Sequence, residues 1–159
     1  MILFNSLFTG VGQAIQPIVA TNYGAHQMER IYIVRSHAVK TILGMGALFT
    51  LFGLISPSTV CHIFLPAAEE TTRIANYGIR LYFIAFLPMA FNVLASNYLQ
   101  SILKTKASFT ISFLRNVVLS GCFILLLPSI FGGFVLWCIM PIVELIVLCI
   151  SIRATHHKD

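Results

Sequence analysis

Charge is scarce in this sequence. Asp, Glu, Lys and Arg make up 9% of its 159 residues, against about 25% in an average soluble domain. A soluble domain of this length needs a polar surface. Ten Lys/Arg and five Asp/Glu cannot cover one, so lipid is the solvent that fits the remainder. Reaction chemistry is scarce too. There is no nucleophile–base constellation, phosphate-binding glycine loop, pair of carboxylates or zinc-ligand spacing. An enzyme reading has no support, and no cofactor or metal site is expected. The four cysteines, Cys61, Cys122, Cys138 and Cys149, show no CxxC or Cys/His spacing. They read as small buried hydrophobes. No Lys or Arg precedes the apolar stretch from Met1, so a signal peptide is not expected.

What is present is apolar. Hydrophobic residues make up 58% of the chain, and its mean hydropathy is +0.90. The net charge of +5 would suggest nucleic acid in a soluble protein. Here the basic residues sit between apolar runs, where they act as topology signals, and no nucleic-acid partner is implied. Five apolar segments are expected, at about 1–20, 39–65, 74–103, 108–130 and 133–153. A membrane helix needs about 20 mostly apolar residues. Segments two to five meet this. The first barely does, and starts as if a longer helix were cut. The fold class is therefore all-α: a polytopic transmembrane helix bundle with four full spans and the end of a fifth.

The joints carry the orientation. Arg30, Arg35 and Lys40 lie in the first, Lys104 and Lys106 in the third, and Arg153 and Lys158 at the end. They alternate with joints holding only Arg73 or no basic residue. The positive-inside rule then places the first joint, the third joint and the C-terminus in the cytoplasm. Gly44, Gly46, Gly53, Pro88 and Pro141 fall inside spans, where neighbouring groups can re-satisfy freed carbonyls.

One stretch is more specific. Residues 10–25 form an apolar helix carrying Gln13, Gln16 and Pro17 that ends in Asn22-Tyr23-Gly24-Ala25. A basic amphipathic stretch follows. This resembles a segment of the multidrug and toxic compound extrusion (MATE) transporters, the end of the eighth of their twelve helices. The later segments resemble helices nine to twelve in order, with Phe113-Leu114-Arg115 near the start of the eleventh and Pro141-Ile142-Val143-Glu144 inside the twelfth. The resemblance covers essentially the whole chain. It implies that residues 1–153 are an incomplete C-terminal lobe and 154–159 a cytoplasmic tail. It implies an integral protein of a bacterial inner (plasma) membrane, whose partners are the bilayer, the missing N-terminal lobe, and small organic cations or amphipathic drugs. Na+ or H+ would be the coupling ion. Some members hold Na+ on acids of helices seven and ten. Here the seventh is absent and the segment 74–103 has no Asp or Glu, so that site is not displayed. Alone, this chain is expected not to transport.

Several residues are singled out. Gly24 can supply the left-handed conformation that closes a helix, and the Asn22–Ala25 element reads either as a helix terminus or as part of the transport path. Glu144 lies within the last span, about 13 Å from Arg153 at 1.5 Å per residue. Arg115 lies at comparable depth in the neighbouring antiparallel span. Intramembrane carboxylates usually face the bundle interior and are paired. A Glu144–Arg115 pair therefore reads either as a static packing element or as a proton- or cation-responsive switch. Asn92, Ser96 and Gln100 share one helix face, with Pro88 a turn earlier. With Gln16 and Pro17 they are candidates to line a substrate cavity; they could equally hold helices together. Phe83, Phe86 and Phe91 offer aromatic surface or packing. His62 reads as a solvated interfacial residue, and His156 and His157 as a solvated tail. Two other functions fit the class: a flippase for lipid-linked saccharides, which would need more intramembrane basic groups than Arg115 with Arg80 near an interface, and a small non-transporting membrane interaction protein.

Overall fold

The computed structural model describes residues 2–57 and 69–156, and they are helical apart from short joints. The helices are α1 (Ile2–Gly24), α2 (Met28–Ile55), α3 (Glu69–Ile84), α4 (Phe86–Ser101), α5 (Thr105–Phe113), a π-helical segment (Leu114–Leu119), α6 (Ser120–Phe131) and α7 (Leu136–His156). A 3-10 turn at Gly133–Val135 leads into α7. Among the described residues four stretches are long and apolar enough to cross a membrane: Met28–Ile55, Asn76–Ser101, Thr105–Phe131 and Leu136–Thr155. Helix α1, which carries Asn5, Gln13 and Gln16, is the fifth. The chain is an integral membrane helix bundle, as its composition required.

The boundaries differ from expectation in instructive ways. The basic stretch after Ala25 is not a joint. It is the first part of α2, which starts at Met28. The period of its charges had no bearing on its backbone, because a helix tolerates polar residues wherever they can reach water. The segment 74–103 is two helices meeting at Ala85. Pro88 lacks the N–H that would bond to Ile84, and its ring crowds that carbonyl, so the helix breaks one turn before it. Pro128 lies inside α6, and the chain turns at Gly132 with φ +81°. Helix α7 runs past the expected boundary at Arg153. Cys61 and His62 lie outside the described residues, as do His157 and Lys158.

Two helix ends on the same side of the bundle close in one way. At the end of α1, Gln27 N–H donates to the Asn22 carbonyl (2.9 Å) and His26 N–H to that of Tyr23 (3.1 Å). At the end of α4, Lys104 N–H donates to Leu99 (2.9 Å) and Leu103 N–H to Gln100 (3.1 Å). Both are Schellman closures. The left-handed residues are His26 (φ 56°) and Leu103 (φ 62°). Gly24 is not the left-handed residue. It is the last residue of the helix proper, and a side chain there would meet nothing within 4 Å. The closing position falls two residues later because the helix continues through the whole Asn-Tyr-Gly element.

Helix α4 is the hub. It packs against α1, α2, α5 and α7. Accordingly 61% of its span is buried, against 6% for Thr105–Phe131. One core joins α1, α2 and α4 around Phe8, Val19, Ile42, Phe86 and Met89; a second joins α4, α5 and α7 around Leu99, Ile111, Val143 and Val147. Phe83 and Phe86 belong to the first. With Phe4, Phe8 and Phe49 they form an aromatic cluster with ring centroids 4.7–6.4 Å apart. They are packing residues, with no surface to offer a ligand. Gly12 lets α1 approach α4: a β-carbon there would collide with Asn97.

Candidate functional site

Two polar groups on α4 stand out among the described residues. The first is centred on a buried carboxylate. Glu144, on α7, is 0% exposed. One of its oxygens, Oε1, accepts from Arg115 Nε and Nη2, each at 2.7 Å. The other, Oε2, accepts from Asn92 Nδ2 at 2.8 Å, and the same amide nitrogen donates to the Glu144 carbonyl at 2.9 Å. Three elements, α4, the π-helical segment and α7, are thus tied through one carboxylate. An unpaired carboxylate at this depth would be very costly, and three charge-assisted contacts offset much of that cost.

Two details set this node apart from an ordinary buried pair. Arg115 sits on the π-helical segment, a rare geometry that is frequent at functional sites. The Ser120 hydroxyl, five residues on, donates to its carbonyl at 2.7 Å. Nothing in the sequence announced the π turn, since no Pro or Gly marks it. And Asn92 Oδ1 is buried without a hydrogen-bond partner. An orphaned buried acceptor is uncommon and calls for an explanation.

The second place faces α1. Gln16 Nε2 donates to Asn97 Oδ1 (2.9 Å) and to Gln100 Oε1 (3.2 Å). Gln16, Pro17, Ala20, Gln100 and Ser101 line an open cavity of about 410 Å³. So the stripe Asn92, Ser96, Gln100 does not serve one face. A helix turns 100° per residue, so each step of four drifts by 40°. Asn92 faces α7 and is sealed from any cavity, and Pro88 is buried with it. Gln100 faces α1 and the opening. Between them, Ser96 offers its carbonyl to the Ser108 hydroxyl of α5 at 2.9 Å. Asn97, next to that stripe in the sequence, is the residue that meets Gln16. Its neighbourhood to Gln16 needed the α1–α4 docking to be seen.

The family element at the end of α1 holds itself together locally. Asn22 Nδ2 donates to the Ile18 carbonyl (2.7 Å) and Thr21 Oγ1 to that of Pro17 (2.8 Å). Tyr23 turns instead toward a cavity shared with Arg35 and Tyr98, while Gly24 and Ala25 are exposed.

The MatE family profile matches residues 1–127, that is 127 of 159 residues. The chain belongs to the MatE family. No curated protein and no solved structure gives a significant match. As a MatE protein it is a membrane protein of a transporter family, and not an enzyme. Asn92 and Arg115 lie within the matched residues, and Glu144 beyond them. Among the described residues no cluster of three or more His, Cys, Asp or Glu is placed to hold a metal ion.

Proposed function

We propose that this MatE chain forms part of a secondary active exporter. The exporter would expel small organic cations or amphipathic drugs in exchange for Na+ or H+. Glu144, Arg115 and Asn92 would form its cation-responsive node. The observation that carries the reading is the orphaned Asn92 Oδ1 beside a buried carboxylate. With Glu144 ionised, the amide donates through Nδ2. With Glu144 carrying a proton, the same amide turned by 180° accepts it through Oδ1. Turning the amide gives up its bond to the Glu144 carbonyl, so the switch would exchange that contact for the one to the protonated carboxyl. Neutralising Glu144 removes the charge that holds Arg115, whose side chain is 13% exposed and has a route outward. The π segment and α7 are then free to shift relative to one another. A sodium ion would use the same two oxygens, Oε2 and Oδ1.

The cavity at Gln16, Pro17 and Gln100 is of drug-binding size. In this reading it is one wall of the substrate path, and the opposite wall comes from an N-terminal lobe. Alternating access needs two halves that rock about a central site, so this lobe alone would bind without transporting. Arg30, Arg35, Lys104, Lys106 and Arg153 cluster at one end of the bundle, which supports a cytoplasmic C-terminus. A saccharide-phosphate flippase is less well served, since Arg115 is committed to Glu144 and Arg80 is exposed.

The test is efflux of a fluorescent organic cation from vesicles holding both lobes, under an imposed proton or sodium gradient. Glu144→Gln should abolish the dependence on one gradient. Wild-type export by Glu144→Gln with unchanged ion dependence would refute the node, and export by the 159-residue chain alone would refute the two-lobe requirement.

A further inference from the structure

The cavity between α1 and α4 has an uncharged wall. Its described lining is Gln16, Pro17, Ala20, Gln100 and Ser101. We propose that it binds the neutral carboxamide-type group of an amphipathic compound, a group that offers an N–H and a C=O side by side. The proposal rests on the reading of this cavity as one wall of the substrate path, and gives that path its substrate class.

The orientation of three amides selects the ligand. Asn97 Nδ2 donates to the Val93 carbonyl at 2.8 Å. A backbone carbonyl can only accept, so this end of Asn97 is the nitrogen. Its oxygen, Oδ1, therefore faces Gln16 and accepts from Gln16 Nε2 at 2.9 Å. The same nitrogen donates its other hydrogen to Gln100 Oε1 at 3.2 Å. Turning Gln16 over would set its oxygen against the Asn97 oxygen. Turning Gln100 over would set two amide nitrogens against each other. The order is thus fixed outward from one backbone carbonyl. The inner end is also held by packing, since a β-carbon on Gly12 would collide with the Asn97 amide.

One acceptor and one donor are left for a ligand. Both hydrogens of Gln16 Nε2 are taken, which leaves Gln16 Oε1 to accept. Gln100 turns its oxygen to Gln16, which leaves Gln100 Nε2 to donate. Gln16 is half-buried and Gln100 exposed, and both border the opening. The hydroxyls beside them are engaged: Ser101 donates to the Asn97 carbonyl at 2.9 Å and Thr21 to that of Pro17 at 2.8 Å. A carboxamide, lactam or urea carries both an N–H for Gln16 and a C=O for Gln100. An ester carries only the acceptor, and an ammonium only donors. An ammonium would also give up water without meeting a carboxylate, which is costly. Pro17 and Ala20 supply apolar contact for the body of the compound. A site built to hydrogen-bond a group rejects the analogue that lacks it, because its own polar atoms are then left unpaired.

The experiment uses the full chain in phosphatidylcholine nanodiscs, with empty nanodiscs subtracting partition into lipid. Three probes share one apolar body: naphthyl-butanamide, the methyl ester of naphthyl-butanoic acid, and naphthyl-butylammonium. Binding is read by equilibrium dialysis at neutral pH. The amide should bind about five- to tenfold more tightly than the ester or the ammonium. Gln100→Leu should bring the amide down to the level of the ester, and Gln16→Leu should weaken it by a similar factor. Gln100→Glu should reverse the order, so that the ammonium binds more tightly than the amide. Thr110→Val, exposed on α5 and outside the lining, should leave all three within about twofold. Equal binding of the three probes by the wild-type chain would overturn the proposal, and so would a preference for the ammonium. If a Gln variant fails to fold, the three-probe comparison on the wild-type chain still decides. Amide-selective binding, with efflux of the amide from two-lobe vesicles unchanged by Gln100→Leu, would uphold the site and refute its place on the substrate path.

Discussion

Removing Arg115 isolates the charge of Glu144. In the wild-type chain the carboxylate is wholly buried, with Arg115 on Oε1 and Asn92 on Oε2. Arg115→Met keeps a long apolar side chain on the π segment but takes away both contacts to Oε1. Breaking one side of a buried pair costs about 3–5 kcal/mol, because the remaining charge is left uncompensated. For a chain of this size each kcal/mol corresponds to about 2–4 °C in Tm, so Tm should fall by about 6–20 °C. Replacing both partners, as Arg115→Met/Glu144→Leu, removes the stranded charge. Apolar replacement of a whole buried pair is often neutral or stabilising. Most of the loss should therefore return, short of the hydrogen bond from Asn92 to Oε2, worth about 1.5–3 kcal/mol when the acceptor is charged. The assay is thermal unfolding in micelles followed by circular dichroism, with Glu144→Leu completing the cycle. Two results would refute the reasoning: a change below about 2 °C in Arg115→Met, or a double variant no better than Arg115→Met.

Other outcomes follow from the packing. Gly12→Leu should separate α1 from α4, because its side chain meets Asn97, and should cost about 1–3 kcal/mol in the same assay; a wild-type Tm would show that α1 docks otherwise. Phe86→Ala removes the ring that touches Phe4, Phe8 and Phe83, and should cost about 3–5 kcal/mol. His26→Gly should raise Tm by relieving a left-handed residue worth about 1–2 kcal/mol, and Gly24→Ala should not lower it, since its β-carbon meets nothing. The reverse order at these two positions would restore Gly24 as the closing residue.

How much of this was legible beforehand varies with the range of the interaction. The pairing of Glu144 with Arg115 could be anticipated because two short-jointed helices are antiparallel and depth can be counted along each. Asn92 was picked out as polar but set in the wrong company. Its true partner depends on how α4 is rotated between α1 and α7, and a rotation of 40° moves it from one neighbour to the next. Gln16 was noted for its place beside Pro17, yet its bond to Asn97 joins residues 81 apart and exists only because Gly12 permits close approach.

By itself the sequence determined the solvent, the number of spans and the one carboxylate that had to be paired. These follow from counts of charge and runs of apolar residues, which are local and additive. The tertiary structure alone decided that Arg115 rides on a π turn, that Asn92 keeps an unpartnered oxygen beside Glu144, and that Arg35 and Lys104 line one cavity. Each depends on the relative rotation and approach of helices distant in the chain, and inside a membrane those are set by packing and hydrogen bonding between helices. Hydropathy carries no record of them.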